Sequence, residues 1–191
     1  MAELSLVRVI EGVLFAAREP VSIQALKKVF EEGPQNPSEG MLREALSRLA
    51  AEYADRSVQL VEVATGFRFQ VVDAVSPYLA RLSEEKPGRY SRAMLETLAM
   101  ICYRQPVTRG EIESVRGVAV GSPIIRTLEE RGWIHVVGHK DVPGRPALFA
   151  TTRQFLDDFG LKSLDQLPLP KGVQSRRSED LLDGLAEQIN E

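Results

Sequence analysis

Arg18-Glu19-Pro20-Val21-Ser22 and Arg104-Gln105-Pro106-Val107-Thr108 are one phrase written twice, at an offset of 86 residues. A motif that recurs at a fixed offset marks a repeated supersecondary unit. The same offset lays Leu26 on Ile112, Val29 on Val115 and Leu14 on Met100. Upstream of each copy, apolar residues recur at spacings of three and four: Leu6, Val9, Ile10, Val13 and Leu14, then Leu95, Leu98, Ile101 and Cys102. That spacing predicts an amphipathic helix before each phrase. Ser22 and Thr108 stand where a second helix would take its N-cap. Thr108 has Glu111 three residues on and is predicted to close a capping box; Ser22 has Ala25 there and is not.

Downstream, Ser38 can cap a third helix over Glu39–Tyr53, with Leu42, Leu46 and Leu49 as its inward stripe. In the second copy Ser122 and Pro123 open Ile124–Arg131, with Ile124, Ile125 and Leu128 inward and Gly132 as the stop. The period then changes to two. Val58–Ala64 and Phe67–Val72 flank Thr65-Gly66 as a β-hairpin, with apolar Leu60, Val61, Val63, Phe67, Phe69 and Val71. Trp133–Val137 and Ala147–Ala150 flank a longer loop, Gly138–Pro146. Three helices and a hairpin, in that order, make a helix-turn-helix with a β wing. A short helix follows each hairpin, over Pro77–Leu82 and Thr152–Phe159. The expected fold is therefore mainly α with small β wings: two tandem winged-helix domains over residues 1–82 and 91–170. Residues 83–90, polar and broken by Pro87 and Gly88, are the expected linker. Residues 171–191 turn basic and then acidic, with Leu181, Leu182, Leu185 and Ile189 at helical spacing. They read either as a tail whose helix forms on a partner or as a terminus without a role.

The 191 residues are 43% hydrophobic and 27% charged, a globular composition. A lone cysteine, Cys102, excludes a disulfide framework and a multi-thiolate zinc site. No apolar run reaches the roughly 20 residues that span a bilayer, and Met1-Ala2-Glu3 opens no signal peptide, so a cytoplasmic protein is expected. The net charge of −3 argues against a protein that coats nucleic acid through bulk positive charge.

From Leu95 to Pro168 the pattern becomes distinctive. Arg104-Gln105-Pro106, Val115-Arg116-Gly117-Val118, Pro143-Gly144-Arg145-Pro146, Thr151-Thr152, Phe155-Leu156-Asp157-Asp158-Phe159-Gly160-Leu161 and Leu164-Asp165-Gln166-Leu167-Pro168 follow in order. This run resembles the segregation and condensation protein B family, bacterial condensin accessory subunits of the kleisin-interacting tandem winged-helix type. The resemblance spans about residues 4–170. Departures are Phe149-Ala150 where that family is expected to carry Tyr-Gly, His139 where an arginine is commoner, and Trp133 in an aliphatic position. The resemblance implies a non-enzymatic protein without a cofactor. Such a protein dimerises mainly through its N-terminal domain. It binds the kleisin subunit (segregation and condensation protein A), which closes the ring of the SMC ATPase on the nucleoid.

A DNA-binding winged-helix regulator is the competing expectation, since such domains read DNA with a basic third helix. Here Arg43 and Arg48 are set against Glu39, Glu44 and Glu52, and Arg126 and Arg131 against Glu129 and Glu130. Neither helix has surplus positive charge, so the phosphate-binding contribution has little to draw on. The second wing, His139–Pro146, is the local exception, as a weak DNA contact or as a loop braced by an Arg145–Asp141 pair. For catalysis the residues offer nothing: Cys102 sits on an apolar helix face, His135 and His139 lack acidic companions, and no phosphate-cradling glycine motif occurs. Protein binding remains. Candidate kleisin contacts are Arg104, Arg116, Trp133, Lys140, Arg145 and Phe149, because Trp and Arg dominate interface energetics. Candidate dimer contacts are Leu6, Val7, Ile10 and Leu14, from a first helix apolar on more than one side; the same residues would equally suit the centre of their own small domain.

Overall fold

The computed structural model describes residues 4–31, 36–82 and 90–168, so the tail at 171–191 and all of the linker except Tyr90 lie outside the described residues. Two compact units result. The first takes in the described residues of Met1–Lys86 together with Gly160–Lys162, the second those of Pro87–Phe159 and Ser163–Glu191.

In the first unit, α1 (Leu6–Ala16), α2 (Ile23–Val29) and α3 (Glu39–Glu52) precede the hairpin strands β1 (Val58–Val63) and β2 (Gly66–Val71), and α4 (Ser76–Leu82) follows. Ser22 and Ser38 cap as expected, their hydroxyls accepting from the N–H groups of Ala25 (3.1 Å) and Met41 (3.3 Å). Ile10, Leu14, Ile23, Leu26, Phe30, Leu42, Leu46, Leu49 and Tyr53 close on one another as the core. The hairpin reverses one residue earlier than the sequence suggests. Val63 pairs with Gly66, which leaves Ala64-Thr65 as the loop and puts Gly66 inside β2. Gly66 is used instead beside a contact that sequence periodicity does not show. Val21 exchanges both backbone hydrogen bonds with Phe67 (2.9 and 3.0 Å), stitching the start of the helix-turn-helix to the wing. A Cβ on Gly66 would lie 2.7 Å from the Ser22 nitrogen and closer still to the Val21 carbonyl, so only glycine fits there. Beside it the Ala64 N–H donates to the Leu161 carbonyl (3.0 Å).

The second unit repeats the order with α5 (Arg92–Arg104), β3 (Val107–Thr108), α6 (Arg109–Arg116), α7 (Ser122–Glu130), β4 (Ile134–His139), β5 (Ala147–Thr151) and α8 (Arg153–Asp158). The duplicated phrase makes the duplicated contact: Val107 pairs with Phe149 as Val21 pairs with Phe67. Here the pairing extends to Thr108–Leu148 and builds a three-stranded sheet in the order β3-β5-β4. Exposure repeats too. Leu26 and Ile112 are fully buried, while Val29 and Val115 are 49% and 51% exposed. The capping box at Thr108 and Glu111 is present, and Gly117 ends α6 in the left-handed conformation at φ +69°. Two boundaries differ from expectation. Gly121, not Ser122, is the N-cap of α7, because the Ser122 hydroxyl accepts from the Arg109 guanidinium (3.0 Å). Trp133 precedes β4, its N–H closing the turn after α7 onto the Leu128 carbonyl (3.0 Å).

Candidate interaction site

The six residues proposed as partner contacts divide into two groups. Trp133 (5% exposed) and Phe149 (7%) are core residues. The Trp133 indole lies against Tyr90 and Phe159, and its Nε1 donates to Asp158 (2.8 Å), a carboxylate also held by Gln154 (2.6 Å). Arg116 has a side chain only 9% exposed and spans inward to α5, where it pairs with Glu96 (2.6 Å) and donates to Thr97 (3.3 Å). The structure therefore spends these three inside the module, where an aromatic or a guanidinium reads from sequence like an interface anchor. Arg104, on the last turn of α5, and Lys140 and Arg145, on the β4–β5 connection, are exposed.

That connection is a closed loop. The Lys140 N–H donates to the Pro146 carbonyl (2.9 Å), Val142 to Lys140 (3.0 Å) and Arg145 to Val142 (2.9 Å). Gly144 and Arg145 both take positive φ, +84° and +37°. Arg145 makes no ion pair with Asp141 among the described residues, so the expected brace is absent. The strand leading into the loop, β4, is one of the two outer strands of its sheet and exposes Val136 and Val137 across a register shift at Val136/Gly138. An outer strand offers unpaired backbone groups, and a bulge restricts how far another chain can pair along it.

Lys140 is tied back to the helix-turn-helix. Its ammonium lies 2.5 Å from Glu111, and the same carboxylate accepts from the Thr108 N–H and hydroxyl (2.8 Å each). The Lys140 contact first, then the Thr108 bonds, draw the Glu111 carboxyl down to about 2. A depressed carboxyl lends stability that is full above its ordinary value near 4.5 and is lost as pH falls toward about 2. Thermal midpoints of the protein and of Glu111→Gln, measured across that window, are expected to differ above pH 4.5 and to converge at its acid end.

The third helices carry their own counter-charges. Arg43 pairs with Glu39 (2.8 Å), Arg48 with Glu52 (3.1 Å) and Arg126 with Glu130 (2.8 Å), each one turn apart. A phosphate would have to displace a carboxylate from every one of them. Arg131, just past α7, stacks over Tyr90 and Trp133 at 4.6 and 5.3 Å. Burial pushes the Cys102 thiol up to about 12, which removes its nucleophilicity at neutral pH. Among the described residues no cluster of three metal-ligating side chains occurs, and no helix is long and apolar enough to cross a membrane.

The candidate dimer contacts also divide. Ile10 and Leu14 are buried in their own core, whereas Leu6 and Val7 are half-buried along its margin. Sequence reasoning passed over several residues with definite tasks. Gln105 Oε1 accepts from the N–H and hydroxyl of Thr151 (2.6 and 2.9 Å), fastening α5 to β5. Thr152 caps α8 through the Phe155 N–H (3.1 Å) and donates to the Gly132 carbonyl. Glu113 holds the turn before α7 through the Val120 N–H (2.8 Å). Most of these residues lie in or beside the motifs on which the resemblance rests, which was the available signal.

The family profile described as segregation and condensation complex subunit ScpB matches residues 8–170. The segregation and condensation protein B homolog of Coxiella burnetii is 56% identical over 169 residues, covering 88% of this chain and 80% of that one. Segregation and condensation protein B of Syntrophotalea carbinolica is 39% identical over 186 residues, covering 95% and 91%. The crystal structure of ScpB from Mycobacterium tuberculosis is 35% identical, covers 84% of this chain and 99% of that one, and aligns with a TM-score of 0.38. With a profile that runs from α1 to the end of the described second module, the chain belongs to the segregation and condensation complex subunit ScpB family.

Proposed function

We propose that this chain is a non-catalytic subunit of the bacterial SMC condensin complex that works as a homodimer. It binds the kleisin subunit and reaches the SMC ATPase through it, in chromosome condensation and segregation on the nucleoid. The observation that carries this reading is the pairing of the third-helix arginines in a member of the ScpB family. The surface a winged helix normally turns to DNA is electrically spent in both modules, while β4 and its loop leave Val136, Val137, Val142 and Arg145 exposed. Kleisin contacts on the second module are assigned to Arg104, Lys140 and Arg145, with Arg116, Trp133 and Phe149 supporting them from within. For the dimer, Ile10 and Leu14 hold α1 to its own core, and half-buried Leu6 and Val7 are the residues left to face a second copy.

The test mixes the purified chain with the kleisin subunit and measures mass by light scattering, with duplex DNA as the control. The expected result is a dimer alone, a heavier complex with the kleisin and no retention of the duplex. Tight, sequence-selective binding of DNA with indifference to the kleisin would overturn the proposal.

A further inference from the structure

We infer that Arg145 is an anchor for a carboxylate of the bound polypeptide, presented by a wing tip built in advance to hold it; the inference rests on the kleisin-binding reading above. Three observations lead there. Among the described residues, Arg145 is the non-glycine residue with a positive φ (+37°). That region costs an L-residue steric strain, and arginine, unlike asparagine or aspartate, has no short side chain to offset it locally. Yet no described residue hydrogen-bonds or ion-pairs with its guanidinium, which is exposed. The backbone at Arg145 is used by the loop, whose closing bond to Val142 it makes. Glycine would serve that turn without strain, so the choice of a long cation there points to use of the side chain outside the chain.

The second observation is rigidity. Pro143 and Pro146 fix φ on either side, and the Lys140–Pro146, Val142–Lys140 and Arg145–Val142 backbone bonds close the loop. The tip therefore loses little freedom when it is engaged, which is how preorganised contacts gain affinity. The third is the number of charges. Lys140 is committed to Glu111, and Asp141 is adjacent, so the tip offers one available guanidinium beside exposed Val142. A nucleic-acid backbone is held by many cations acting together. One planar fork beside an apolar side chain suits one carboxylate in a polypeptide.

The experiment compares the full-length chain with Arg145→Gly and Arg145→Lys. It measures affinity for the purified kleisin subunit, affinity for a short DNA duplex, and the thermal midpoint. Glycine accepts the left-handed backbone, so Arg145→Gly is expected to keep or raise the midpoint while weakening kleisin binding about tenfold or more. Arg145→Lys keeps the charge without the fork and is expected to fall between. Kleisin binding unchanged in Arg145→Gly overturns this inference and leaves the proposed function standing. A markedly lower midpoint in that variant also overturns it, by giving the side chain a structural task. A native chain that ignores the kleisin removes the proposed function and this inference together, as does a duplex affinity that depends on Arg145.

Discussion

Replacing Gly66 by alanine is expected to be the most damaging single-methyl change in the first module. The added carbon would sit 2.7 Å from the Ser22 nitrogen and nearer to the Val21 carbonyl, and these are backbone atoms that cannot rotate away. To admit it, Val21 must part from Phe67 and give up both of their hydrogen bonds. Ser22, the cap of α2, moves with Val21, so the lesion spreads from the wing into the helix-turn-helix. Overpacking of this kind costs about 3 kcal/mol. In a module of this size that lowers the thermal midpoint by roughly 15 °C. Far-ultraviolet dichroism would report the loss, while fluorescence of Trp133, the only tryptophan, follows the second module. Gly117→Ala is the comparison. It meets nothing within 4 Å and suffers only its φ of +69°, so about 1 kcal/mol is expected. Equal losses in the two variants would show that steric contact with Val21 is not what requires Gly66.

The second large effect is expected from Glu96→Ala. Glu96 receives Arg116 (2.6 Å) and Arg92 (3.0 Å). Burial favours its neutral form, but the bonds from Arg116 and then Arg92 outweigh that and hold its carboxyl below the ordinary range. Remove it, and Arg116, whose Nε already has no partner, remains as a charge in the interior with Thr97 alone. Orphaning a buried charge costs about 3–5 kcal/mol. Denaturation followed by Trp133 fluorescence should register most of that. Replacing Arg116 and Glu96 together by methionine should recover the larger part, because the desolvated charge goes with its partner. A double variant as unstable as Glu96→Ala would refute this account of the pair.

These two variants also mark where the sequence could be read and where it could not. The helices were legible because their signals are local. Apolar spacing of three and four, Ser22, Ser38 and Thr108 as caps, and Glu111 closing its box all act within a few residues of themselves. The Val21–Phe67 and Val107–Phe149 pairings were not, since each joins residues far apart in the chain and a strand of one or two residues has no period to detect. The turn lies one residue earlier than the sequence suggests because Gly66, which reads as a turn residue, is instead used within β2 for the close approach of Val21. The candidate contacts divide between surface and interior for a different reason. Arg116, Trp133 and Phe149 have the side chains that dominate interfaces, but the same chemistry serves an interior once Glu96, Asp158 and a strand partner are supplied. Arg104, Lys140 and Arg145 could be placed outside, because they fall at a helix end and in a loop rich in proline and glycine.

The helix arginines have a consequence for any encounter with a polyanion. Arg43, Arg48, Arg92, Arg109 and Arg126 each meet a glutamate of their own helix, so these helix surfaces are zwitterionic rather than cationic. Few condensed counterions would be released on meeting a duplex, and little is gained by lingering there. A polyanion meeting such a surface finds each of these cations already neutralised one helical turn away, so it is held no more firmly in dilute salt than in concentrated salt by these residues.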